Sequence, residues 1–224
     1  MTKRPTDMPD QSKFWDEWHQ KINDRVPNWG THFPLAEQVL PFLQNPRLTP
    51  ILDLGCGQCN DAIYFADNKF EVYALDFSSA AIARAKQAIN KKGLSSIHVI
   101  KGDISEPLPF EDAKFGAVYS HLSLQYFDNE TTGSVFFEIH RVLKSGGILA
   151  FNAKSTLDFR YGEGKKIGPD MFNYNGHIRH FFSRKYVKEL MKSWKILVLD
   201  EYEEKYGGST EPSNFIKVIA RKPQ

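Results

Sequence analysis

Residues 51–61, ILDLGCGQCND, hold the strongest chemical signal in the chain. An apolar run carries Asp53 near its end, Gly55-Cys56-Gly57 follow, and a helical pattern begins after them. Two glycines permit a tight turn and let a ligand come close to the backbone, so a side chain at Gly55 is expected to fill ligand space. The next helix offers unpaired N–H groups in its first turn. Asp53 falls at the carboxyl end of the strand, where open parallel sheets bind ligands. Taken alone, the glycines fit an ordinary strand-to-helix turn equally well. Asp76 closes the next apolar run 23 positions later and is suited to the two hydroxyls of a ribose. It also suits the N-cap of the following helix, a role open to Ser78. Gly102-Asp103-Ile104 follows the third run. There a carboxylate can accept from the exocyclic amine of an adenine while Ile104 covers a ring face. Three acidic strand ends in succession form a set that chance rarely supplies.

Other residue types point to weaker chemistry. Cys56 and Cys59 make a CxxC, but no second CxxC or CxxH accompanies it, so no tetrahedral metal site is expected. Its plain reading is a loop cysteine beside a ligand; a redox role stays open because a helix N-terminus can lower a thiol pKa. His121 stands at the end of the fourth apolar run and is the histidine placed for a general base. His98 and His140, inside a strand and a helix, read as structural. Residues 158–195 carry nine basic residues against four acidic ones. Arg160, His177 and Arg179 fall on a predicted loop there and suit an anionic substrate. The lysines of the helix at 183–192 read as a solvated face.

These residues need elements to position them. Apolar patterning predicts strands at 51–54, 71–75, 97–101, 117–120 and 147–153, alternating with helices at 59–67, 78–90 and 130–143. Such alternation means a mostly parallel, doubly wound α/β sheet covered on both faces. An amphipathic helix at 13–25, with Phe14, Trp15, Trp18 and Ile22 at helical spacing, and a second helix at 35–44 precede it. A helix at 183–192 capped by Ser183 and strands at 195–202 and 214–220 follow it. The 203–213 interval is too short for a crossover helix, so the last strand should pair antiparallel.

Composition narrows the partners. The chain has 224 residues, with 29 basic and 27 acidic, for a net charge of +2. That balance is unlike a nucleic-acid sheath. Mean hydropathy is −0.45 and no run of ~18 apolar residues occurs, so no transmembrane helix is expected. A polar start without an apolar h-region and only two cysteines make the cytoplasm the simplest location. The sequence leaves the oligomeric state open between monomer and homodimer.

The segments LDLGCG (52–57), ALDFS (74–78), GDI (102–104), VYSHLSLQYF (118–127) and LKSGGILAF (143–151) resemble the class I S-adenosylmethionine-dependent methyltransferases. The resemblance covers roughly residues 40–221 and is nearest to the small-molecule branch, similar to tellurite-resistance and thiopurine methyltransferases. FWDEWH (14–19) looks, more weakly, like a thiopurine methyltransferase lid helix. The resemblance implies a Rossmann-like, seven-stranded sheet with an antiparallel last strand, and division into a lid at 1–34 and a cofactor-binding domain at 35–224. It implies that Asp53, Gly55, Cys56 and Gly57 hold the methionine part of S-adenosyl-L-methionine, that Asp76 takes the ribose, and that Phe77, Asp103 and Ile104 frame the adenine. Ser120 and His121 would lie under the sulfonium, with Trp18, Trp29 or Tyr126 near its charge. His177 and Arg179, with Trp18 and Tyr126, would meet the acceptor, a small and anionic molecule, and transfer would be an in-line displacement. Cys59 replaces the third glycine of the common GxGxG loop, and Gln125 replaces a frequent histidine. A dinucleotide-dependent oxidoreductase is the alternative, but its G-x-G-x-x-G fingerprint requires glycine where Asn60 stands. A non-catalytic protein that keeps the cofactor fold is another. Ser120-His121-Leu122-Ser123 lacks the Asn/Asp-Pro-Pro-aromatic motif of amino methyltransferases acting on DNA bases.

Overall fold

The computed structural model describes residues 11–25, 31–205 and 210–224. In chain order the elements are α1 (Ser12–Arg25), α2 (Pro34–Val39), β1 (Ile51–Leu54), α3 (Asn60–Asp67), β2 (Val72–Asp76), α4 (Ser79–Lys92), β3 (Ile97–Lys101) and β4 (Phe115–His121). There follow α5 (Asn129–Val142), β5 (Leu143–Lys154), β6 (Lys165–Gly168), β7 (Met171–Tyr174), β8 (His177–His180), α6 (Arg184–Leu190), β9 (Lys195–Glu204) and β10 (Ser213–Arg221).

Seven strands form one sheet in the order β3-β2-β1-β4-β5-β10-β9. β1 to β5 pair in parallel, and β10 runs antiparallel between β5 and β9. The central strands are buried on both faces, as a parallel sheet requires. Alternate residues feed two cores: Ile51 packs with α2, α3 and α4, while Leu52 and Leu54 pack with α5 and α6. The helices start where local chemistry allows. Ser78, Asp128 and Ser183 each accept a backbone N–H three residues ahead. Gly93, at φ +68°, closes α4 behind Lys91 and Lys92, which face the negative end of the helix dipole.

Two expectations need correction. The helix expected over 35–44 is α-helical only to Val39 and tightens to a 3-10 turn over Leu40–Leu43. Pro41 lies inside it and has no N–H to donate. The stretch 158–180 is not a loop: β6, β7 and β8 make a three-stranded antiparallel sheet. Its second hairpin turns on Asn175 and Gly176, both at positive φ, the pairing that matches the twist of two-residue hairpins. This excursion leaves the main sheet at Ser155 and returns at Phe182, and those two residues bridge each other.

The amino end of β4 packs closely against the turn that precedes β1. A Cβ on Gly116 would stand 2.0 Å from the Leu48 carbonyl carbon, and the backbone there has no freedom to yield. Gly133, exposed on α5, has nothing within 4 Å of a Cβ. Gly116→Ala should therefore destabilise the fold by about 1–3 kcal/mol, and Gly133→Ala should stabilise it by roughly 0.5–1 kcal/mol, both read as shifts in the thermal midpoint.

Candidate active site

A cavity of about 1460 Å³ opens beneath α1, lined by residues from the carboxyl ends of β1, β2 and β4 and the loop after β3. It exceeds the roughly 300–1,000 Å³ of a single-ligand pocket, so two ligands can lie side by side. Of the residues singled out in the sequence, Trp18, Asp53, Gly55, Cys56, Gly57, Asp76, Phe77, Asp103, Ile104, His121, Tyr126, His177 and Arg179 all line it. Ser120 does not. Its side chain is fully buried and its Oγ donates to the Leu54 carbonyl at 2.9 Å, tying β4 to β1 inside the sheet. Trp29 falls outside the described residues.

The floor is built from backbone N–H groups and buried carboxylates. The N–H groups of Gly55 and Cys56 both donate to the Leu75 carbonyl, at 2.8 and 3.1 Å, which folds the loop after β1 back onto β2. Asp76 then accepts from Gly57 N–H through Oδ2 and from Ser78 N–H through Oδ1, each at 2.8 Å. Ser78, not Asp76, caps α4, with its Oγ accepting from Ala81 N–H. Gly55 and Gly57 hold φ of +69° and +53°. A Cβ at Gly55 would strike Ser123 Oγ at 2.1 Å, so the glycine makes room for a protein side chain rather than directly for a ligand. Cys59 adopts φ +64° where a glycine would be relaxed. Asp103 accepts from the N–H and the hydroxyl of Ser105, with Ile104 beside it.

Asp53 Oδ2 is buried with no hydrogen-bond partner among the described residues. Desolvation, aided by Asp61 and Asp76, pushes its carboxyl well above the usual range. An orphaned acceptor in a buried floor marks a place for a ligand's donor. Cys56 and Cys59 approach to 3.6 Å between sulfurs. A hydrogen bond shared with Cys59, which favours the protonated thiol, and burial push Cys56 up, which is the wrong direction for a reactive thiolate.

The far end of the cavity is aromatic and cationic. α1 crosses its mouth, held by Asp16, whose Oδ1 accepts from Ser78 Oγ and Ala80 N–H, and by Arg84, which donates to the Gln20 carbonyl. Trp15 meets Tyr126 edge-on with centroids 4.8 Å apart, and Phe14 stacks on His177 at 4.4 Å. Lys154 pairs with Asp158 at 2.9 Å, and Arg179 pairs with Glu163 at 2.7 Å and lies over the Tyr174 ring. Arg160 donates to Ser213 Oγ and covers Phe159, with no carboxylate partner among the described residues. His177 and Arg179 sit on β8 instead of a loop, so both are held by a hairpin ladder. The sequence reading missed Lys154, Phe33 and Asp61. Asp61 stood within the quoted ILDLGCGQCND, but no spacing rule singled it out, and Phe33 carried no signal before a Pro-containing turn.

Burial pushes His121 down to about 3 and His19, His177 and His180 down to about 4. All four are thus neutral at pH 7, and His121 is a poor base in this state. Imidazole nitrogen NMR should show these four rings neutral from pH 8 down to pH 5. A midpoint near 6.5 for His121 would show that water reaches it.

Comparison with known proteins follows the same lines. Residues 51–147 match the methyltransferase domain family. The chain is 34% identical over 130 residues to the malonyl-(acyl-carrier protein) O-methyltransferase of Enterobacter lignolyticus, covering 56% of this chain and 49% of that protein. It spans about half the length of the curated relatives it matches. Among solved structures, the 1,6-didemethyltoxoflavin-N1-methyltransferase of Burkholderia thailandensis, bound to its substrate and S-adenosylhomocysteine, superimposes with a TM-score of 0.73. That match has 16% identity and covers 100% of this chain and 94% of the other. A SAM-dependent methyltransferase from Methanosarcina mazei gives a TM-score of 0.71 at 22% identity, covering 86% of this chain and 99% of the other.

Proposed function

We propose that this chain, whose residues 51–147 belong to the methyltransferase domain family and whose sheet is that of the class I S-adenosylmethionine-dependent methyltransferases, transfers a methyl group from S-adenosyl-L-methionine to a small anionic molecule. The observation that carries this reading is the set of carboxylates at or just past three successive strand ends, buried Asp53 and Asp76 and half-buried Asp103, around a glycine loop that lines a two-ligand cavity. The orphaned Asp53 oxygen and the positive-φ loop fit the cofactor. In this assignment Asp53 and the loop Gly55–Gly57 hold its methionine part, Asp76 its ribose, and Phe77, Asp103 and Ile104 its adenine. When bound, it supplies a methyl group already activated on a sulfonium. The chain's own residues are left to position and to exclude water.

The anionic character of the acceptor rests on three cations lining one end of the cavity. Arg160 and Arg179 lie close enough to Lys154 to add to the downward push that burial puts on its ammonium. Asp158 and Glu163 answer two of the three charges. His177, Arg179, Trp18 and Tyr126 complete the acceptor wall in this reading, and residues 1–34 serve as its lid. We place the protein in the cytoplasm.

Calorimetry with S-adenosylhomocysteine tests the cofactor assignment. Asp76→Ala removes a charged acceptor from two hydroxyls, a loss of ~1.5–3 kcal/mol, so affinity should fall roughly ten- to hundredfold. Unchanged affinity would remove the ribose from Asp76. Hydrogen exchange tests the lid: α1 and residues 158–180 should gain protection when S-adenosylhomocysteine binds, and equal protection in both states would make them fixed scaffold.

A further inference from the structure

Asp61, the second residue of α3, is 5% exposed and lines the cavity. Its two carboxylate oxygens have separate tasks. Oδ1 accepts from the backbone N–H of Phe33 at 2.7 Å, and Oδ2 accepts from the Tyr119 hydroxyl at 2.7 Å. Tyr119 and His121 are two apart on β4, so their side chains leave the same face of the sheet. The Phe33 ring lies flat on the His121 imidazole, with centroids 3.9 Å apart and planes 6° from parallel. Phe33 also immediately precedes α2, where no side chain caps the helix. One buried carboxylate thus clasps the strap leading into α2 to the sheet, and the clasped residue covers the histidine at the acceptor end.

We infer that Asp61 is a positioning residue for methyl transfer, which fixes the Phe33 ring across His121 and so shapes the wall that the acceptor meets. This rests on reading the cavity as a methyl-transfer site. It assigns Asp61 no contact with either ligand. An asparagine in its place keeps one acceptor but turns an amide donor toward the other donor, so one of the two tethers is lost. The strap is the weaker partner, because Tyr119 is anchored in the central sheet. Release of Phe33 would then leave the loop after β1 in place, since its bonds from Gly55 and Cys56 to Leu75 and from Gly57 to Asp76 form without Asp61.

The imidazole proton signals of His121 report the stack directly. In the wild-type protein the Phe33 ring current should hold them upfield, with the signals assigned from their absence in His121→Gln. Phe33→Leu should remove the displacement and define the unstacked position. Asp61→Asn should move the His121 signals to that same position while S-adenosylhomocysteine affinity stays at the wild-type value. His121 signals unmoved in Asp61→Asn would overturn the inference. A wild-type protein that fails to bind S-adenosylhomocysteine would instead overturn the proposed function and leave the clasp standing. A measurement on the wild type serves if Asp61→Asn does not fold. Desolvation raises Asp61 to about 6 against the pull of Phe33 N–H, Tyr119 hydroxyl and His32, with Asp53 also facing it. The Phe33 amide proton and the His121 ring protons should therefore shift together as Asp61 titrates, and movement of one without the other would refute the clasp.

Discussion

One carboxylate shared by two peptide N–H groups underlies the site. Asp76 holds Gly57 on one oxygen and Ser78 on the other. The first bond fixes the loop between β1 and α3, and the second fixes the entry to α4. Two helices on the same face of the sheet are thereby registered to one strand end. The arrangement stands at the carboxyl edge of a parallel sheet, where helix N-termini gather and a negative charge is welcome. It has a cost: burial raises the Asp76 carboxyl, and only the peptide hydrogen bonds hold it down. A polar ligand that brings further donors to this carboxylate completes what the fold has begun.

α1 depends on the same place. Asp16 reaches the Ser78 hydroxyl and the Ala80 N–H, so the helix over the cavity is anchored at the first turn of α4. His19 packs so near Gly57 that a Cβ there would meet its ring at 3.1 Å. The covering helix therefore lies against the loop after β1.

Much of this was readable in the sequence, for reasons that differ by element. Buried parallel strands are short continuous apolar runs, and Ile51–Leu54 and Val72–Asp76 announce themselves that way. Ser78 and Gly93 bracket α4 with the residues that helix ends require. The antiparallel last strand followed from the length of one connection. The meander over 165–180 was hidden because its strands are only four residues long and one of them is exposed over its first three residues. Asn175-Gly176, the strongest local hairpin signal in that stretch, stands between β7 and β8 and was not read as a turn. Ser120 was misplaced because alternation along β4 turns neighbouring side chains to opposite faces, and only His121 reaches the cavity. The link from Asp61 to Phe33 joins residues 28 apart through a backbone N–H, which no side-chain pattern encodes.

The bridge between Ser155 and Phe182 has a consequence for how such a protein diversifies. The chain leaves the main sheet and comes back at one point, so the segment between is a closed excursion whose ends are already joined. Lengthening or replacing it changes loop-closure entropy only with the logarithm of its length. Its ties to the main sheet are concentrated at its start, where Asp158 meets Lys154 and Asn214 N–H and Arg160 meets Ser213. Arg160, His177 and Arg179 all ride on that excursion, while Asp53, Asp76 and Asp103 do not. A change of this one cassette would replace Arg160, His177 and Arg179 together and leave Asp53, Asp76 and Asp103 in the main sheet and its loops.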